Sequence, residues 1–209
     1  MKNSNLLLIA SSLALLGACS QVERSRDLGN PDVSGVTLVK QVCSECHGEN
    51  GNSTSPQFPK LAGQQPGYLQ NQLSKFKDHS RSDRLAPEFM YGISHALTVQ
   101  QISEISTYLS QQTLINDNAR TMPSDYAGRW IYENGIPDRG IPACQACHGT
   151  TAQGQFDFPR LAGQHKQYLV KQLHVFHANV GRPNTPMQSV TQSLTEKELD
   201  EVATYLSRL

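Results

Sequence analysis

Cys43-Ser44-Glu45-Cys46-His47-Gly48 returns about one hundred residues later as Cys144-Gln145-Ala146-Cys147-His148-Gly149, and the text around it returns too. Phe58-Pro59-Lys60-Leu61-Ala62-Gly63-Gln64 is matched by Phe158-Pro159-Arg160-Leu161-Ala162-Gly163-Gln164. Tyr68, Leu69, Gln72, Leu73 and Phe76 are matched by Tyr168, Leu169, Gln172, Leu173 and Phe176. Leu97-Thr98 with Thr107-Tyr108-Leu109-Ser110 is matched by Leu194-Thr195 with Thr204-Tyr205-Leu206-Ser207. The order is kept and the offset drifts by a few residues, as loop deletions produce, so the chain reads as two domains of one fold. The boundary falls between Ile115 and Ser124, where Asn, Asp and Pro123 interrupt both apolar patterns. The 209 residues then divide into a leader at 1–19, a flexible linker at 20–34, a first domain at 35–115, a second linker at 116–124 and a second domain at 125–209.

Within each repeat the apolar period is helical. Tyr68, Leu69, Gln72, Leu73 and Phe76 form one stripe, and Tyr168 to Phe176 copies it. The last element of each repeat opens on a cap, Thr98 with Gln101 and Thr195 with Glu198. Behind the caps, Ile102, Ile105, Tyr108 and Leu109, or Leu199, Val202, Tyr205 and Leu206, build an amphipathic face. No run of alternating β-branched residues stands out. Each domain is therefore expected to be all-α, with three to four short helices and long loops.

Four of the five cysteines form two Cys-x-x-Cys pairs, each followed at once by histidine, which is the signature of covalent haem attachment. Two thiols one helical turn apart can each add to a porphyrin vinyl group, and the adjoining His47 or His148 then turns its imidazole to the iron. A disulfide would not require the histidine, still less twice. A thioredoxin-like centre would want a βαβ setting, and the two pairs lie too far apart for a zinc ribbon. Cys43, Cys46, Cys144 and Cys147 are thus the expected thioether residues of two haem c groups. A bound haem also supplies the staple that domains of this size need.

Met90 and Met187 each lie seven residues before the Leu-Thr that opens the last helix, so they hold equivalent positions. A thioether is a soft ligand, and a His/Met pair raises the reduction potential. Matched loops make Met90 and Met187 the expected sixth ligands beside His47 and His148. Met122 has no twin and reads as packing. His165, His174 and His177 stand where the first repeat has Gln65, Ser74 and Lys77, and are read as partly exposed helix residues. His79 and His95 also lack counterparts.

The N-terminus reads as a targeting segment. Lys2 precedes an apolar run, Leu6 to Leu16, that is too short for a permanent membrane span. Its end, Leu16-Gly17-Ala18-Cys19, resembles the lipobox of bacterial lipoproteins, which implies cleavage before Cys19 and lipidation of its thiol. The alternative is ordinary cleavage after Ser20, leaving a soluble periplasmic protein. Ser20 is not the aspartate of inner-membrane retention, so the outer membrane is favoured. Residues 21–35 read as a polar leash. With 37% hydrophobic residues, 17% charged residues and zero formal net charge, nothing in the charge balance points to nucleic acid or to a polybasic membrane contact.

The paired Cys-x-x-Cys-His motifs, the repeated Pro-x-Leu-Ala-Gly-Gln-x-x-x-Tyr-Leu stretch and the Met-then-helix ending together resemble the dihaem cytochrome c4 family over essentially the whole mature chain. The resemblance implies two class I cytochrome c domains related by a pseudo-twofold axis, with haems close through their propionate edges. It implies that Pro59 and Pro159 offer their carbonyls to the proximal histidines, and that Gly35 and Gly128 let the last helix approach the first, where Tyr108 and Tyr205 would pack. Gly35 lies eight residues before Cys43, but Gly128 lies sixteen before Cys144. The insertion, Asn134 to Gly140, departs from the family pattern there. A three-residue deletion before Met187 suggests unequal haem exposure and unequal potentials.

Six-coordinate irons have no open site, so a monomeric carrier of single electrons is the expected function rather than an enzyme. The resemblance implies delivery in the periplasm, from a donor such as a quinol–cytochrome c reductase to a terminal oxidase. The rivals are a dihaem peroxidase, which needs a switchable haem, and the cytochrome subunit of a larger dehydrogenase or reductase.

Overall fold

The structure is a computed structural model that describes residues 25–124 and 126–209. Cys19 and the leader lie outside the described residues. In the first domain, α1 (Gly35–Leu38) runs without a break through a π-helical turn (Val39–Cys43) into α2 (Ser44–His47). Then follow α3 (Pro66–Lys77), a π-helical turn (Ala86–Met90) leading into α4 (Tyr91–His95), and α5 (Val99–Ser110). The second domain has α6 (Ala127–Asn134), a 3-10 turn (Pro137–Arg139), α7 (Gln145–His148), α8 (Lys166–His177), α9 (Met187–Thr191) and α10 (Glu196–Leu206). Among the described residues the only β pairing is two isolated bridges, Ile136 with Ile141 and Gln155 with Phe158. The fold is all-α.

Each domain closes on its own core. Leu38, Val39, Leu69, Leu97, Ile105 and Leu109 hold the first together, and Ile131, Tyr132, Leu169, Leu199, Val202 and Leu206 the second. Both final helices start on a complete capping box. Thr98 Oγ1 accepts from the Gln101 N–H at 3.1 Å, and Gln101 Oε1 accepts from the Thr98 N–H at 3.0 Å. Thr195 and Glu198 repeat the pattern at 3.3 and 2.8 Å.

The first and last helices of each domain cross at a glycine. A Cβ on Gly35 would come within 2.8 Å of the Gln101 carbonyl oxygen, and one on Gly128 within 2.1 Å of the Glu201 carbonyl oxygen. Tyr205 packs on Tyr132 with ring centroids 5.6 Å apart, and Tyr108 packs against the first core while donating its hydroxyl to Asn50 Oδ1 at 3.0 Å. The inserted loop splits the helix that is continuous in the first domain. Ile136 and Ile141 exchange both backbone hydrogen bonds across it, and the chain re-enters helix at α7 in time to present the second motif.

The linkers are less free than the sequence suggests. Over its described part, the 20–34 leash packs on the first domain: Leu28 lies against the core and Val33 is only 8% exposed. The Gln101 amide donates to Asn30 O at 2.8 Å and to Val33 O at 2.9 Å, which pins this stretch as turns. The 116–124 linker is strapped along the end of the second domain. Asn116 Nδ2 donates to Leu209 O at 2.7 Å, and the Arg120 N–H to Arg208 O at 3.0 Å. Met122 packs against the second core, with Arg208 Nη1 3.2 Å from its sulfur. No helix among the described residues is long and apolar enough to cross a membrane.

Candidate haem-binding site

α2 and α7 are single helical turns, and each delivers two thiols and an imidazole to the same side. Cys43, Cys46 and His47, with Met90, line one cavity that continues to Cys144, Cys147, His148 and Met187 of the second domain. None of these four cysteines is engaged in a disulfide. Burial pushes the Cys43 and Cys144 thiols up to about 11, as an apolar pocket does to a thiol not yet joined to a porphyrin.

The histidines are oriented alike. His47 Nδ1 donates to Pro59 O at 2.9 Å, and His148 Nδ1 to Pro159 O at 2.9 Å. A carbonyl only accepts, so the proton is fixed on Nδ1 and the lone pair on Nε2. Burial lowers both imidazole pKa values, against the smaller opposing effect of the proline carbonyl. Phe58 and Phe158 stand edge-on to the imidazoles, at centroid distances of 6.0 and 6.1 Å.

The remaining histidines lie away from the cavity lining. His165 Nε2 donates to Ser53 O across the domain interface at 2.9 Å, and His177 Nδ1 donates to Thr191 O at 2.9 Å. His174 lies 3.4 Å from the Glu196 carboxylate. His79 stacks on Tyr91 at 3.9 Å.

Two sets of residues that sequence reasoning passed over sit between the domains. Gln64 Oε1 accepts from the Arg160 N–H at 2.6 Å while its amide donates to Arg160 O at 3.1 Å. Gln164 does the same to Lys60, accepting at 2.8 Å and donating at 2.9 Å. This reciprocity is what a pseudo-twofold axis requires. The second set is a polar cluster of the buried Gln72, Arg81, Asp83 and Gln172 with the half-buried Arg182, Tyr68 and Tyr168, all facing the cavity. The available signal was identity of polar residues in both repeats at buried helix positions, Gln72 and Gln172 above all.

The donor set fits haem c and not a simple metal ion. No group of three or more His, Cys, Asp or Glu able to hold a metal ion occurs among the described residues. Instead, paired thiols, one imidazole and one thioether per domain face an apolar wall that includes Leu69, Leu73, Phe76, Leu169, Leu173 and Phe176. Arg160 adds an independent mark. It is 5% exposed, its Nε has no partner, and burial alone depresses its pKa to about 10. A buried guanidinium with a spare N–H on the cavity wall suits an anionic substituent such as a propionate. When bound, haem c supplies one-electron iron chemistry.

Comparison with known proteins gives the family. The family model for cytochrome c matches residues 33–113 and again 127–209. The chain is 35% identical over 211 residues to cytochrome c-552 of Acidithiobacillus ferridurans, covering 100% of this chain and 90% of that protein. It is 33% identical to cytochrome c4 of Thiocapsa roseopersicina, covering 87% and 94%. A protein named as a thiosulfate dehydrogenase electron acceptor, from Stutzerimonas stutzeri strain A1501, is 29% identical over 84% of this chain and 82% of its own length. Among solved structures, cytochrome c4 of Acidithiobacillus ferrooxidans superposes with a TM-score of 0.72 at 37% identity, over 80% of this chain and 98% of that one. Reduced cytochrome c4 of Pseudomonas stutzeri gives 0.73 at 34% identity, over 87% and 99%. Two cytochrome c domains in tandem, each with its own attachment motif, place this chain in the cytochrome c4 family as an electron-carrying protein with two covalently bound haem c groups.

Proposed function

We propose that this protein is a periplasmic shuttle for single electrons, in which His47 with Met90 and His148 with Met187 hold the two irons and the four motif cysteines form the thioethers. The observation that carries the reading is the matched placement of these side chains. Each domain offers one imidazole with its lone pair on Nε2 and one thioether to a shared cavity. With His47 and Met90, and His148 and Met187, holding the irons, no position would be left for a substrate, and no residue would need to act as acid, base or nucleophile. The chain's own work is to fix the imidazoles through Pro59 and Pro159, exclude water with apolar walls, and keep the two domains in register.

The mature chain begins at a lipidated Cys19 and is tethered to a membrane, the outer one favoured, as a monomer. It takes electrons from a donor such as a quinol–cytochrome c reductase and hands them to a terminal oxidase. A second reading, acceptance of electrons from a thiosulfate-oxidising enzyme, is favoured by the Stutzerimonas relative of that name. Co-purification with a dehydrogenase would select it over the oxidase.

The test is spectroscopic. Met-to-iron bonds give a near-infrared charge-transfer band in the ferric protein. Met90→Ala and Met187→Ala should each remove one haem's share of that band and lower one reduction potential. Absence of the band, with turnover of peroxide, would replace the carrier by a peroxidase.

A further inference from the structure

Met90 and Met187 sit on very short helices. Met90 closes the π-helical turn that leads into α4, Met187 opens α9, and α4 and α9 are five residues each. A helix of that length does not hold itself together in water, and neither N-cap side chain bonds its first turn. Both methionines line the cavity, so the turns that carry them are held by something else.

Between each methionine and the Leu-Thr that opens the final helix, the repeats share little. The first reads Tyr91-Gly92-Ile93-Ser94-His95-Ala96 and the second Gln188-Ser189-Val190-Thr191-Gln192-Ser193. The third position stays aliphatic, with Ile93 and Val190 both on the cavity wall. The fourth keeps a hydroxyl. Ser94 and Thr191 are each 0% exposed. Ser94 Oγ donates to Met90 O at 2.7 Å, and Thr191 Oγ1 to Met187 O at 2.8 Å. On the far side, the Ser94 carbonyl accepts from the Leu97 N–H at 3.2 Å, and the Thr191 carbonyl from the Leu194 N–H at 3.0 Å. Each residue thus links the methionine backbone to the buried leucine that precedes a capped final helix.

In a long helix, a serine or threonine that bonds back four residues does little more than bend it. Here the helix is barely longer than one turn, the hydroxyl is out of reach of bulk water, and its acceptor is the carbonyl of the methionine itself. The other ties on these turns are not shared. Lys77 Nζ donates to Leu97 O, whereas His177 Nδ1 donates to Thr191 O at 2.9 Å. Thr185 Oγ1 accepts from the Met187 N–H at 3.3 Å, where the first repeat has Glu88.

We propose that Ser94 and Thr191 are positioning residues for the two methionines. Their hydroxyls fix the backbone at Met90 and Met187, which keeps each thioether turned into the cavity and keeps outside ligands from taking its place. The inference rests on the reading of Met90 and Met187 as iron ligands.

The test is a titration of the ferric dihaem protein with free imidazole, which takes an iron's sixth position only when the methionine leaves it. Loss of the charge-transfer band measures the exchange, and NMR assigns each step to its domain. Ser94→Ala should tighten imidazole binding about 5-fold at the first domain, the worth of one buried hydrogen bond, and leave the second unchanged. Thr191→Val, which exchanges the hydroxyl for a methyl group, should do the same at the second domain alone. Thr191→Ser, which keeps the hydroxyl, should behave as the parent protein does. Unchanged affinity in both Ser94→Ala and Thr191→Val, tightening at both domains in either one, or equal tightening in Thr191→Ser and Thr191→Val, overturns the proposal. If Thr191→Val does not hold its haem, Ser94→Ala decides alone. A parent protein that lacks the band altogether removes the ligand reading, and this inference with it.

Discussion

An ideal Cβ on Gly128 would lie 2.1 Å from the Glu201 carbonyl oxygen, and one on Gly35 2.6 Å from the Glu104 Cβ. The obstacle at Gly128 is backbone, which cannot rotate aside; at Gly35 backbone atoms of Gln101 and Ile105 stand only 2.8 Å away. Overpacking of this kind costs about 1–3 kcal/mol, with Gly128→Ala the more damaging of the two because its clash is closer. Thermal unfolding of the holoprotein should show both variants melting early, in that order, with haem attachment retained. The two glycines were legible from the family resemblance. The hydrogen-bond partner of Tyr108 was not, because Asn50 is remote in the chain and no local rule brings the two together.

At the scale of elements, the last helix of the second domain does more than its counterpart. Glu198 closes the capping box and also takes an ion pair from Arg139, which donates as well to Ser193 O at 3.0 Å. The inserted loop is thereby bound to the start of α10. Burial would raise the Glu198 carboxyl, but the Thr195 N–H and Arg139 hold it below its ordinary range. Thr195→Ala should lower stability by about 1 kcal/mol, measured by chemical denaturation; the same change at Thr98 should cost a similar amount. These boxes were plain in the sequence, since capping depends on local spacing. The packing of residues 25–34 was not. Leu28 and Val33 are two isolated apolar residues in a polar stretch, and two points define no period. The interrupted helix before Cys144 was legible as an insertion but not in form, because the Ile136–Ile141 bridge pairs residues that no local rule brings together.

For the whole molecule, the decisive contacts are Gln64 and Gln164, each 4% exposed and each satisfying a backbone N–H and C=O of the opposite domain. Leaving a buried polar group unpaired costs about 1–3 kcal/mol, so Gln64→Ala with Gln164→Ala should loosen the joint severely. Calorimetry should show one cooperative transition in the parent protein and two separate ones in the double variant, with both haems still attached. The repeated Leu-Ala-Gly-Gln was the most distinctive text in the chain, yet its purpose was hidden, because a side chain that bonds a remote backbone leaves no mark at its target. That silence has an evolutionary consequence. Each glutamine grips peptide groups that every residue possesses, so the target is Lys60 in one half and Arg160 in the other without any loosening of the grip. After duplication, such a joint lets the halves drift apart in charge while the register between them is inherited unchanged.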